Sequence, residues 1–201
     1  MKYMLKQLFI LFQIFFLIIT ALSAQTASEE IKQMLESRDA EIKEILGPEG
    51  KEYTQDQRDR LKDIINGVID FEAMASYALG DTYNELSEEE RNEFVSLFST
   101  IVRDNSLNKL DIYRADVSYE KINVTDGNAR VETIAQLEDV RTPVYYEMEK
   151  EESEWVITDM IIDDVSTAES YNRQFQSIIR KRGYDALKQS LEKRAARVPT
   201  S

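Results

Sequence analysis

The 201-residue sequence contains 25 Lys and Arg against 38 Asp and Glu, giving a net charge of −13, and it has neither His nor Cys. This composition excludes disulfides, thiol nucleophiles, Ser-His-Asp sites and the His and Cys ligand sets that zinc and copper prefer. The acidic excess disfavours nucleic acid and anionic membrane surfaces as partners of the folded chain. The length is that of one domain, and 42% hydrophobic residues are enough to build a sizeable core.

The first 24 residues have the three parts of a secretory signal peptide. Two lysines precede an apolar run from Leu8 to Leu22, and small residues follow it. We expect cleavage after Ser23 or Ala24, which removes two lysines and no acid and leaves a net charge of −15 on a single domain, residues 25–201. An uncleaved anchor is the alternative, although the 15-residue run is shorter than the roughly 20 residues that span a bilayer. The predicted location is the periplasm or the exterior.

Helical periodicity follows, from Ile31 to about Arg114. Capping residues and breakers divide it: Gly47-Pro48 ends the first helix, Thr54 with Gln57 forms a capping box, Asp70 and Gly80 bound a short helix, and Ser87 with Glu90 forms a second capping box. The helix after Ser87 has the most regular apolar stripe, and we expect it to break near Asn105. These features predict an N-terminal helical half.

From Val117 the apolar period changes to two and predicts a four-stranded antiparallel meander over residues 117–124, 129–137, 142–150 and 155–165. Asp126-Gly127 predicts a hairpin turn, because Gly accepts a positive φ. The fourth strand is apolar on both faces, with Trp155, Ile157 and Ile161 predicted on one face and Val156, Met160 and Ile162 on the other, which indicates cover on both sides. Two helices, 166–182 and 184–196, complete a predicted α+β fold.

Four stretches of this sequence stand out, in this order: FEAMASYALGDTY (71–83), LSEEERNEFVSLF (86–98), WVITDMIIDDVS (155–166) and YNRQFQSIIRKRGYDALKQSL (171–191). Together they resemble the MlaC, or toluene-tolerance, family of periplasmic lipid-binding proteins. The resemblance implies a helix and sheet fold that encloses an elongated apolar pocket for the acyl chains of a phospholipid. It also implies transfer of lipid between an outer-membrane lipoprotein complex and an inner-membrane ABC transporter, which maintains outer-membrane lipid asymmetry through transient contacts.

The candidate lipid-binding residues combine the apolar helix stripes with one face of the predicted sheet. On that face Ala129, Val131, Thr133 and Ala135 are small, so a cavity is expected opposite them, flanked by Val144, Tyr146 and Met148. Ordinary core packing is the alternative for every member, and another helix is the alternative occupant of the cavity. The full set is Phe71, Met74, Tyr83, Phe94, Leu97, Phe98, Ile101, Tyr113, Val131, Thr133, Ala135, Tyr146, Met148, Ile161, Tyr171, Phe175 and Ile179.

Polar residues offer further candidates, each with an ordinary surface role as its alternative. The hydroxyls of Tyr83, Tyr113 and Tyr171 are candidates for a pocket mouth, and Arg173 is a candidate for contact with a phosphate. A calcium or acid-base role for Asp159, Asp163 and Asp164 competes with ion pairing. Lys181, Arg182 and Lys188 are candidate partner contacts.

Two other functional classes compete with a lipid carrier. No spacing of carboxylates, Tyr, Lys or Ser nominates a catalytic set, and no Gly-rich phosphate loop occurs, so neither an enzyme nor a bound cofactor or metal is expected. A non-catalytic envelope adaptor would have the same fold without a cavity. A carrier of a hopanoid or an organic solvent is the alternative with a different ligand.

Overall fold

The computed structural model describes residues 25–50, 52–107 and 110–198, so the predicted signal peptide lies outside the described residues. Helices occupy both ends of this part of the chain. They are α1 (25–46), α2 (Gln55–Asn66), α3 (Phe71–Leu79), α4 (Asp81–Glu85), α5 (Glu88–Ser106), a 3₁₀ helix (Leu110–Arg114), α6 (Thr167–Arg182) and α7 (Tyr184–Ala195). Both predicted capping boxes are present, at Thr54 and at Ser87, and Asp70 caps α3 as predicted. The short helix α4 was not predicted.

The sheet lies between the two helical segments, as predicted, and has five antiparallel strands in chain order. They are β1 (Asp116–Thr125), β2 (Asn128–Leu137), β3 (Val140–Glu151), β4 (Glu154–Ile162) and β5 (Val165–Ser166). The predicted hairpin turn is confirmed, because Asp126 and Gly127 both have positive φ, 49° and 79°. The mixed helix and sheet class is therefore confirmed, with one strand more than predicted.

The prediction of the fourth strand is wrong at its C-terminal end in two respects. Asp163 and Asp164, with φ of 51° and 61°, form a turn that ends β4 and starts the two-residue strand β5. In addition, a bulge at Thr158 shifts the register, so that Met148 pairs with Ile157 but Tyr146 pairs with Met160. A bulge reverses the side-chain alternation beyond it.

Apolar residues of the described chain form three buried clusters. The first, here called the bundle cluster, joins α3, α5, α6 and α7. The second joins α1 to one face of the sheet, the face that carries Val131, which is called the inner face below. The third joins the end of α1 to α2 and the 3₁₀ helix. Among the helices described, none is both long enough and apolar enough to cross a bilayer.

Helix α1 crosses the inner face diagonally, and ion pairs at its two ends define its path. Near its N-terminal end Glu30 pairs with Lys150, at the end of β3, with 3.6 Å between the charged atoms. Near its C-terminal end Lys43 pairs with Asp116, at the start of β1, also at 3.6 Å. Because β1 and β3 run in the same direction, these contacts lie at opposite ends of the sheet. The corner formed by the start of β3 and the end of β4 is thus off the path of α1.

Candidate functional site

The inner face is closed under α1 and open at the corner that α1 does not cross. Under the helix, Val131 and Met148 are 0% and 1% exposed and pack with residues of α1. At the open corner Val144 pairs with Ile162, and Ile162 is 41% exposed. The adjoining Met160 is also only partly buried. One continuous apolar face therefore changes from packed core to accessible surface.

A groove of about 580 Å³ lies at this open corner. Ile162 and Val165 supply apolar surface, and Val165 is 52% exposed. Helix α6 supplies the polar side of the groove with Thr167, Ser170, Tyr171 and Gln174. These polar groups are uncharged, so the groove suits a molecule that has both an apolar part and a hydrogen-bonding part.

Three tyrosines lie further inside, along the edge of the part that α1 covers. Burial, with a smaller contribution from Asp39 on α1, raises the pKa of Tyr146 to about 12. Burial and the neighbouring Tyr146 raise the pKa of Tyr113 to about 12. Burial, Tyr146 and Asp39 hold the pKa of Tyr119 well above its usual range. All three side chains are partly exposed.

The predicted inner-face residues lie where their alternation placed them. The register pairs Val131 with Tyr146, Thr133 with Val144, and Ala129 with Met148, so these side chains share one face. Thr133 is fully buried, and its hydroxyl donates a hydrogen bond of 2.6 Å to the Val144 carbonyl. Ala135 is partly exposed. Helix α1 occupies the space over Val131, so open space begins beyond that residue.

Most of the predicted helical residues form packed core in the bundle cluster. The ring centroids of Phe94 and Phe175 are 5.9 Å apart in edge-to-face contact, and Phe98 contacts both rings. The buried members are Phe71, Met74, Tyr83, Phe94, Phe98, Ile101 and Phe175, and the partly buried members at the edge of this cluster are Leu97, Tyr171 and Ile179. Tyr113 packs against the third cluster instead. Lipid contact by the buried helical members stays a prediction.

The predicted polar candidates are dispersed in the structure. Tyr83 is held within the bundle, where its hydroxyl donates to Glu72 at 3.3 Å and the guanidinium of Arg91 lies 5.2 Å from its ring centroid. Tyr171 lies on the groove, and its ring packs edge-to-face on Phe98. Arg173 pairs with Glu169 at 2.9 Å and donates to Ser170, which lines the groove. Of these three residues, Tyr171 and Arg173 are near the open corner, whereas Tyr83 is not.

The three aspartates at the end of β4 have local roles. Asp159 accepts hydrogen bonds from the Ser166 hydroxyl and the Ala168 amide, which fixes the start of α6. Asp163 and Asp164 form the turn described above. No group of three or more acidic side chains in the described ranges is arranged to hold a metal ion. Of the three basic candidates, Lys188 pairs with Glu93 at 2.6 Å.

Sequence reasoning placed Ile161 on the wrong face and did not include Met160, Ile162 or Tyr119 among the candidate residues. The bulge at Thr158 places Ile161 opposite Tyr145 on the outer face and turns Met160 and Ile162 inward. Tyr119 follows the period-two alternation of β1, which was the available signal for it. In this strand, apolar on both faces, hydrophobicity carried no signal for the bulge.

Comparison with known proteins connects this geometry to a family. Residues 25–193 match the model of a family described as MlaC protein. No curated protein matches the sequence. Among solved structures, the fold is similar to that of a phospholipid-binding protein from Ralstonia solanacearum determined in complex with a phospholipid, with a TM-score of 0.70 and 21% identity. The similarity covers 86% of this chain and 98% of that one.

Proposed function

The chain belongs to the MlaC family, and from that premise we propose that it is a phospholipid carrier of the periplasm. The acyl chains would lie on the open part of the inner face, over Val144, Tyr146, Met160 and Ile162. The observation that carries the proposal is the exposed apolar corner of that face beside a groove with uncharged polar groups. A monomeric domain gains no stability by leaving such residues accessible, whereas a lipid gains an apolar surface to bind.

The free energy of exposing acyl chains to water explains why such a carrier needs only a cleft as apolar as the bilayer interior. A two-chain lipid has on the order of 30 methylenes, and each costs about 0.8 kcal/mol to expose to water, so unassisted escape from a bilayer is negligible. A cleft that matches the bilayer makes exchange nearly neutral in free energy, and exchange is then reversible. The acidic surface would favour release of the loaded protein from anionic membranes.

We extend the proposal to location and partners on the strength of the family and the N-terminal sequence. Residues 1–24 would be a cleaved signal peptide, and residues 25–201 a single lipid-binding domain in the periplasm. The partners would be an inner-membrane ABC transporter complex and an outer-membrane lipoprotein complex, between which the carrier maintains lipid asymmetry. N-terminal sequencing of the periplasmic form tests this, with a first residue near Ala24 or Gln25 expected. Recovery only in the membrane pellet with Met1 intact would contradict it.

Native mass spectrometry of the protein purified from the periplasm tests the carrier function. We expect a bound mass equal to one phospholipid on the wild-type protein. Val144→Trp places a large ring in the open corner and should abolish most of that occupancy. Val140→Trp is the matched control, because Val140 is 64% exposed at the β2–β3 turn, outside the Val144–Ile162 pair that marks the open corner.

Each other outcome identifies a different function. If the bound mass is that of a hopanoid or another non-phospholipid, the protein is still a carrier, but its ligand is not a phospholipid. A homogeneous protein with no bound mass, and no uptake from phospholipid vesicles, would favour the envelope adaptor. Equal lipid occupancy in Val144→Trp and Val140→Trp would reject the open corner as the binding surface.

A further inference from the structure

One face of α6 forms the polar side of the groove at the open corner. Thr167, Ser170, Tyr171 and Gln174 follow the i, i+3, i+4, i+7 spacing, so their side chains line the groove in one row. The Tyr171 hydroxyl accepts a hydrogen bond from Asn105 at 3.3 Å, which leaves its own hydrogen available to donate. The side chains of Thr167 and Gln174 form no hydrogen bond with a residue of the described ranges. The groove therefore offers uncharged donors to a ligand.

The charged groups beside this groove are mainly carboxylates. Asp163 and Asp164 are exposed and form the turn between the two apolar residues that line the groove. Neither carboxylate forms an ion pair with another residue in the part of the chain that the structure describes. On the α6 side the guanidinium of Arg173 donates to Ser170, but it also pairs with Glu169 at 2.9 Å, which compensates its charge. Two carboxylates without a compensating cation thus border the groove.

The N-terminus of α6 does not supply the missing positive charge. Such a helix end attracts anions through free backbone amides, but here the Ala168 amide donates to Asp159 at 2.9 Å and the Glu169 amide to the Ser166 hydroxyl at 3.0 Å. The neighbouring strand β3 carries Arg141 near its start, but the register places that side chain on the outer face. A ligand with a net negative charge would therefore meet an uncompensated negative potential in the groove.

We propose that this groove binds the headgroup of a zwitterionic phospholipid, and that Asp163 and Asp164 make it select such lipids over anionic ones. The proposal rests on the proposed carrier function and names the class of lipid that is carried. The donors of α6 would hydrogen-bond to the phosphate and glycerol oxygens, and a headgroup ammonium would lie toward the two carboxylates. The acyl chains would continue past Ile162 onto the open part of the inner face. The groove volume of about 580 Å³ is within the range of ligand pockets.

Competition between two lipids with the same acyl chains provides the direct test. Delipidated wild-type protein is offered vesicles that contain equal amounts of phosphatidylethanolamine, which is zwitterionic, and phosphatidylglycerol, which is anionic. The bound lipids are then quantified by mass spectrometry. Because both lipids are in the same vesicle, the overall charge of the protein affects its encounter with both equally. We expect phosphatidylethanolamine to be preferred at least about threefold, as two solvent-exposed charges imply.

Removal of the two carboxylates tests whether the turn causes the preference. The double variant Asp163→Asn, Asp164→Asn removes both charges, and Asn accepts the positive φ of this turn, so the fold should be retained. We expect the preference to fall to nearly one. The matched control is the double variant Asp126→Asn, Glu152→Gln, which removes two carboxylates from positive-φ positions in turns at the opposite end of the sheet. It should retain the wild-type preference.

Two further measurements use the wild-type protein and need no variant. Phosphatidylethanolamine acetylated at its nitrogen has the same chains and phosphate but no ammonium, and it should compete as weakly as phosphatidylglycerol. The preference should also weaken between about 0.01 M and about 1 M salt, because the screening length falls from about 30 Å to about 3 Å.

The possible failures are distinguishable from one another. Equal binding of the two lipids by wild-type protein, or a preference for phosphatidylglycerol, would overturn the headgroup selection and leave the carrier function intact. A preference that persists in the Asp163→Asn, Asp164→Asn variant, or that is lost equally in the control variant, would overturn the role of this turn. Binding of neither lipid would overturn the carrier function, and the headgroup selection with it.

Discussion

The bundle and the sheet bury apolar residues to different extents. In the bundle, four helices surround one another, and Phe94, Phe98 and Phe175 are at most 1% exposed. Over the inner face of the sheet, the buried cluster is formed with α1, a helix about 10 Å wide, whereas the axes of the four long strands span about 15 Å. One helix that crosses such a face diagonally must leave a corner open. The open corner follows from the path of α1 across the face, not from a special residue type.

The largest expected effect is in the bundle. Phe175→Ala removes a ring that packs edge-to-face on both Phe94 and Phe98. We expect the free energy of unfolding, measured with urea, to fall by about 3–5 kcal/mol. Lipid occupancy of the fraction that remains folded should not change, because this ring lies outside the open corner. Loss of lipid without loss of stability would assign Phe175 to the ligand instead of the core.

The second prediction compares two valines on the inner face. Val131 lies beneath α1 and is 0% exposed, whereas Val144 is at the open corner. Val131→Trp should lower the free energy of unfolding by about 1–3 kcal/mol, because α1 must move to accommodate the ring. Val144→Trp should leave the stability of the delipidated protein nearly unchanged and displace lipid. Thermal melts and bound-lipid analysis of both variants measure the two effects. If both variants lose similar stability, the inner face is not divided into a part covered by α1 and an open part.

This contrast marks the limit of what the sequence could predict. Predictions that depend on neighbouring residues were confirmed. They are the capping boxes at Thr54 and Ser87, the Asp126-Gly127 hairpin, and the alternation that placed the small residues of β2 on one face. The division of that face into two halves depends on the path of α1, which is defined by contacts far apart in sequence, such as Glu30 with Lys150. The error at Ile161 comes from one extra residue in a strand that is apolar on both faces.

The third prediction uses alkaline pH to examine the inner tyrosines. Burial raises the folded-state pKa of Tyr146 to about 12, above the usual 10 of an unfolded chain. Between pH 10 and about 12 the unfolded chain therefore loses a proton that the folded chain retains, and stability falls as the pH rises. Tyr146→Phe should reduce this dependence by up to about 1.4 kcal/mol per pH unit relative to wild type. Urea unfolding of both proteins at pH 9 and pH 11 measures the change in the free energy of unfolding with pH. An equal change in wild type and Tyr146→Phe would mean that the phenol of Tyr146 is in contact with bulk water.

The smallest expected effect lies at the junction of the bundle and the sheet. The Asp70 carboxylate accepts hydrogen bonds of 2.9 Å from the Glu72 and Ala73 amides, and the Asp70 amide donates to the Ile157 carbonyl at 2.9 Å. Asp70→Ala should cost about 1 kcal/mol, whereas Asp70→Asn retains a capping oxygen and should cost less. The backbone bond to Ile157 remains in both variants, so the position of α3 beside β4 and the lipid occupancy should be unchanged. A clear fall in the lipid occupancy of folded Asp70→Ala protein would contradict this prediction. It would mean that the position of α3 beside β4 affects lipid binding, so that the bundle and the sheet act together.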